Sequence, residues 1–161
     1  MCDNEVLPRK SVGPVALRMT QQEIHLVLGV PSVSLPFRGR LPPKDSYHQR
    51  GFTIHYDSDV RVRFIEVFPT RQTRFLYRGI SVFDTTADEL LRLIGRDAQM
   101  DTAHSEFPRT VVFPSLELAV WRHCLPEESG GDEGTLFESL AIGVSGYFSH
   151  DASYEGSSGK S

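Results

Sequence analysis

"MTQQEIHLVLGVP" (residues 19–31) and "TTADELLRLIGRD" (residues 85–97) carry the same instructions. Laid out as "GPVALRMTQQEIHLVLG" (13–29) over "GISVFDTTADELLRLIG" (79–95), they align at a constant shift of 66. Gly13 meets Gly79, Thr20 meets Thr86, Glu23 meets Glu89 and Gly29 meets Gly95. The apolar phase matches too: Leu17 with Phe83, Ile24 with Leu90, Val27 with Leu93 and Leu28 with Ile94. Each copy predicts a short helix. A threonine can cap the first free amides, and a glutamate three residues on completes a capping box. Ile24, Val27 and Leu28, like Leu90, Leu93 and Ile94, make an apolar stripe at i, i+3, i+4. Gly29 and Gly95 are expected to end the helices in the left-handed conformation, and Pro31 forbids continuation after the first.

Helices this short are unstable alone, so the stripes need a sheet. "GFTIHYD" sets Phe52, Ile54 and Tyr56 on one face and Thr53, His55 and Asp57 on the other. "VRVRFIEVF" follows, its alternation slipping at Phe64-Ile65, the mark of a bulge or of burial on both faces. "RTVVFPSLELAVWR" predicts two strands turning at Pro114-Ser115, with Leu118 and Val120 on one face and Glu117, Ala119 and Trp121 on the other. "TLFESLAIGV" reads as the last strand and "RFLYRGISV" as a link between halves. The expected fold is α+β: two helix-plus-strand pseudo-repeats (13–73 and 74–149) forming one antiparallel sheet, with helices on one face and the other partly open. Residues 1–12 and 150–161 are expected to be flexible ends.

The 17 basic and 21 acidic residues leave a net charge of −4, which argues against non-specific nucleic-acid binding. No apolar run approaches a membrane span of about 20 residues, no secretory leader is visible, and Cys2 and Cys124 read as reduced thiols. The expectation is a soluble cytoplasmic protein. His55, Asp57 and Asp59 could offer metal ligands, but cross-strand charge pairing of His55 and Asp57 with Arg61 and Arg63 is the preferred reading. His123-Cys124 could suggest a thiol and its base, yet neighbours on a strand point oppositely. The acidic run "PEESGGDEG" lacks the order of a calcium loop. No cofactor, metal or catalytic residue is therefore expected.

The phrase "MTQQEIHLVLGVP" ahead of strands resembles the BamE/SmpA group of outer-membrane assembly factors, with Arg18 where that group carries a glycine. Two such units in one chain resemble the beta-lactamase inhibitor protein fold. The stretch from "GFTIHYDSD" through "FIEVF" and "YRGI" to "LIG" resembles the N-terminal part of the phagosome assembly factor family. These resemblances imply a fold used for protein–protein contact, with no catalytic residues to carry over. The expected function is a non-enzymatic binding module, an inhibitor or immunity-type protein or an adaptor. His55, Arg61, Arg63, Glu117 and Trp121 would form its protein-binding face. The partner is expected to be another protein, with a homodimer left open. The alternatives are a small enzyme using Cys124 or a histidine in an inter-repeat cleft, and a small-ligand module in that groove.

Overall fold

The computed structural model describes residues 1–148; the expected tail 150–161 lies outside them. The fold is mixed α/β, with twelve strands in two sheets and three helices. β1 (Cys2–Leu7), β2 (Ser11–Val12) and β3 (Val15–Ala16) precede α1 (Gln21–Leu28). Then come β4 (Val33–Leu35), β5 (Lys44–Tyr47), β6 (Phe52–Tyr56) and β7 (Val62–Val67). The second half brings β8 (Thr73–Tyr77), β9 (Ile80–Ser81), α2 (Ala87–Ile94), β10 (Thr110–Phe113) and β11 (Leu118–Trp121). A four-residue α3 (Pro126–Ser129) and β12 (Ser139–Gly143) complete it.

The single sheet of the sequence reading is thus corrected to two. The larger is antiparallel, in the order β10-β11-β12-β7-β6-β5-β4; the smaller runs β3-β2-β1-β8-β9. Residues 1–12 are also corrected: they form β1 and β2, and β1 pairs parallel with β8, Cys2 opposite Thr73. Val6, Val12 and Val15 of the small sheet, Ile24 and Leu28 of α1, and Leu90 and Ile94 of α2 enter one core. They share it with Phe52, Ile54, Tyr56, Leu118, Val120 and Ile142 on the inner face of the large sheet. A separate cluster of Phe64, Val112, Ala119, Ala141 and Phe148 lies on the outer face.

The shift of 66 extends well beyond the helices. β5 becomes β10 and β6 becomes β11 at that shift, pairing included: Lys44–His55 matches Thr110–Trp121, and Tyr47–Phe52 matches Phe113–Leu118. Even the turn conformation repeats, for Gly51 (φ 76°) and Glu117 (φ 48°) are both left-handed. The two halves meet where β7 and β12 pair, Ile65 opposite Ile142. They diverge at β4, which has no counterpart beside β10, and in one connection. β6 and β7 are joined by five residues (57–61), β11 and β12 by seventeen (122–138).

The caps follow the sequence in part. Thr20 and Glu23 form the full capping box on α1. On α2, Thr86 accepts from the Glu89 amide, while the Glu89 carboxylate pairs with Arg92 instead. Gly29 has the positive φ expected, 84°, but its ψ of −153° takes it outside the left-handed helical region, and Gly95 is right-handed at φ −61°. There the chain keeps turning, with the Ala98 amide donating to Ile94, so no reversal is needed.

Candidate functional site

Side chains on the outer face of the large sheet fall into three rows set by strand register. Thr110, Trp121 and Ser139 stand side by side in the first. Val112, Ala119, Ala141, Glu66 and Thr53 make the second. Gly143, Phe64, His55 and Lys44 make the third. Small residues in the middle of the first two rows, with bulky ones around them, leave a hollow of about 610 Å³. Ala119, Ala141 and Ser139 floor it, and Trp121, Phe64, Phe68 and Phe148 wall it. It straddles the junction between the two halves.

Three carboxylates ring this hollow: Glu66, Glu106 and Glu138. Glu106 accepts from the Thr110 hydroxyl at 2.9 Å, and Glu138 is bonded to His123 at 2.7 Å. Glu66 has no hydrogen-bond partner among the described residues. Burial holds its carboxyl above the usual carboxylate range, against the pull of Lys44. A half-dehydrated acid of this kind gains from a hydrogen-bond donor or cation brought in by a ligand.

The structure separates the five residues expected to share one face. Trp121 faces the hollow and is 42% exposed. His55 lies on the same face two strands beyond β12, its ring edge-on to Phe64 at 5.1 Å. Burial first, then Lys44 and Arg63, lower its pKa to about 4. Arg63 is the extra residue of a bulge, since His55 pairs with Phe64 but Tyr56 with Val62. The guanidinium of Arg63 lies 5.4 Å from the centre of the Tyr147 ring. Arg61 is exposed and donates to the Arg18 carbonyl at 3.0 Å, away from the hollow.

Glu117 is buried rather than set on the exposed face. It is 6% exposed and accepts from the amides of Gly146 (2.8 Å) and Phe148 (2.9 Å). These bonds hold residues 146–148 over the third row, where Tyr147 stacks on Phe64 with centroids 4.6 Å apart. The expected charge pairs of the first hairpin give way to a local turn: Asp57 accepts from the amides of Asp59 and Arg61.

Sequence reasoning weighed His123-Cys124 and the acidic run separately and missed that they form a second group. β11 ends at Trp121, so alternation does not govern His123 and Cys124. A ring nitrogen of His123, the Cys124 sulfur and a carboxylate oxygen of Glu133 lie within 4.8 Å of one another. Partial burial first, then Glu133, Glu128 and Glu138, push the Cys124 thiol up, which keeps it protonated and weak as a nucleophile. The hydrogen bond and charge of Glu138 raise the His123 imidazole.

No family model matches this sequence, and no curated protein matches it. Among solved structures, the chain is similar to the DUF4309 family protein YjgB from Bacillus subtilis subsp. subtilis str. 168. The TM-score is 0.46 at 17% identity, over 77% of this chain and 78% of that one. No helix among the described residues is long and apolar enough to cross a membrane.

Proposed function

We propose that this protein is a non-enzymatic binding module that holds a partner protein in the hollow beside Trp121. The observation that carries this reading is an exposed tryptophan over a floor of small side chains, ringed by carboxylates of which Glu66 has no hydrogen-bond partner among the described residues. Aromatic side chains in such settings are enriched among interface residues that dominate binding. The acidic ring selects a partner segment with an apolar anchor and a lysine or arginine beside it. The register repeated at a shift of 66 supports a duplicated helix-and-strand unit, the plan of the BamE/SmpA and beta-lactamase inhibitor resemblances. In this reading the role is that of an inhibitor, immunity-type protein or adaptor.

The test is capture from native lysate with the wild-type chain, Trp121→Ala and Glu66→Gln, each checked for folding by circular dichroism. One dominant protein held by the wild type and lost from both folded variants is expected. Equal recovery on all three would overturn the reading, as would self-association as the only interaction. A second reading rests on the size of the hollow, which falls within the range of about 300–1,000 Å³ common for small-ligand sites. Thermal stabilisation by a small basic or aromatic compound, abolished in Trp121→Ala, would favour it.

A further inference from the structure

The long connection 122–138 is the main addition that the second half makes to the shared plan, and backbone contacts hold it in shape. The Glu138 amide donates to the Trp121 carbonyl at 2.8 Å and closes its base. Arg122, 6% exposed, donates from Nη1 to the Gly134 carbonyl at 2.9 Å. Its guanidinium also sits over Phe137, 5.1 Å from the ring centre. Gly134 has φ 83°, and a Cβ there would lie 2.4 Å from the Cys124 carbonyl oxygen. Only glycine lets these two backbones pass so closely. Glu133 is thereby carried to Cys124 by the main chain.

His123 is oriented with equal definition. Its amide and its Nδ1 both meet Glu138 Oε2, at 2.6 and 2.7 Å. With Nδ1 engaged by that carboxylate, Nε2 is the ring nitrogen turned toward Glu133, 3.7 Å from its Oε2, and it serves as a ligand once its proton is displaced. We propose that His123 Nε2, Cys124 Sγ and the Glu133 carboxylate form a site for a divalent transition-metal ion, with zinc the best match. Glu138 is the outer carboxylate that fixes the imidazole, and a fourth position stays open.

The donor set decides the class of ion. One imidazole, one thiolate and one carboxylate suit a borderline ion and do not suit calcium or magnesium, which take oxygen ligands. Geometry agrees. A tetrahedral zinc ion with bonds of about 2.0–2.3 Å sets its ligand atoms about 3.3–3.8 Å apart. The His123–Glu133 separation of 3.7 Å already meets that, and the sulfur lies within 4.8 Å of both. A carboxylate bonded to the far nitrogen of a ligating histidine is the usual second layer of such sites. Glu128 is occupied by Arg109 at 2.5 Å and by the Leu125 amide, so it stands outside the set.

The test uses the full chain as Cys2→Ser, which leaves Cys124 as its single thiol, titrated with cobalt(II) and followed by absorption. The expected result is a thiolate-to-cobalt charge-transfer band with visible bands of a four-coordinate ion, both bleached by an equivalent of zinc. Cys124→Ser in that background should abolish the charge-transfer band, and His123→Ala and Glu133→Gln should each weaken binding at least tenfold. Glu138→Gln should keep the band and weaken binding by about 10–100-fold. Absence of the band from the Cys2→Ser chain would overturn the proposal. So would a band that survives Cys124→Ser, or affinity unchanged in both His123→Ala and Glu133→Gln while circular dichroism shows them folded.

Discussion

The two halves share a skeleton and fill it differently. At equivalent positions stand Asp45 and Val111, His55 and Trp121, Tyr56 and Arg122. In the first half the helix is tied to the sheet by a buried carboxylate. Asp45 is fully buried and accepts from Gln21 and His25 of α1, Ser34 of β4 and Tyr56 of β6. In the second half the tie is apolar, with Val111 joining Leu90 and Ile94 in the core. The outer faces diverge as well: His55 is packed against Phe64 under a capped row, while Trp121 stands open beside a lengthened connection. On this face the first half is covered and the second leaves its tryptophan exposed.

The largest test of that contrast is Asp45→Ala. It strands four donors and is expected to lower the free energy of unfolding by about 3–5 kcal/mol, read by urea denaturation. Val111→Ala, at the matching position, should cost only about 1–2 kcal/mol. Equal losses would erase the distinction. Burial pushes the Asp45 carboxyl up, but the hydrogen bonds from Ser34, Gln21, His25 and Tyr56 bring it below its ordinary 3.8. Its contribution is therefore present above that pH and lost as the pH falls through the lowered value.

Next comes the latch over the third row. Glu117→Ala removes the acceptor for two backbone amides and should cost about 1–3 kcal/mol, with hydrogen exchange at Gly146 and Phe148 accelerated. Unchanged exchange would mean that Tyr147 stacking alone holds the segment. His55 gives a smaller effect in a defined window. Its pKa falls from 6.5 to about 4 on folding, so between those values the unfolded chain binds more protons. Stability should fall as the pH drops through that range, by less than about 1.4 kcal/mol per pH unit. His55→Gln should flatten this part of the profile. A profile identical to the wild type would show that the ring is not held neutral. Smallest of all, Trp121→Ala should change stability by less than about 1 kcal/mol. A large loss would make the tryptophan structural.

The sequence was readable where the cause is local. Thr20 and Thr86 cap their helices because the amides they serve lie within three residues. The slip at Phe64-Ile65 marked both the bulge at Arg63 and burial on two faces. Alternation put Trp121 on the outer face because the strand runs regularly back to Leu118. It failed beyond Arg122, at His123 and Cys124, for nothing in "WRHC" shows that β11 stops and the next side chains follow a bend. Glu117 was assigned its face correctly but not its burial, since its cover comes from residues 146–148. The strand "CDNEVL" looked like a polar lead-in because only Asn4 and Val6 are inward. β2 pairs with it locally, but its other partner, β8, lies some seventy residues away, beyond any local pattern.

The placement of β1 between the hairpins of the two halves has a consequence for synthesis. A ribosome delivers Cys2–Leu7 before the segment that flanks it, Thr73–Tyr77, which emerges only after the whole first unit has been translated. Until then the small sheet lacks its central parallel pair, and the older unit must wait, incompletely zipped, for the younger one to arrive. The parallel pair of β1 and β8 can therefore close only once the chain has been made through Tyr77.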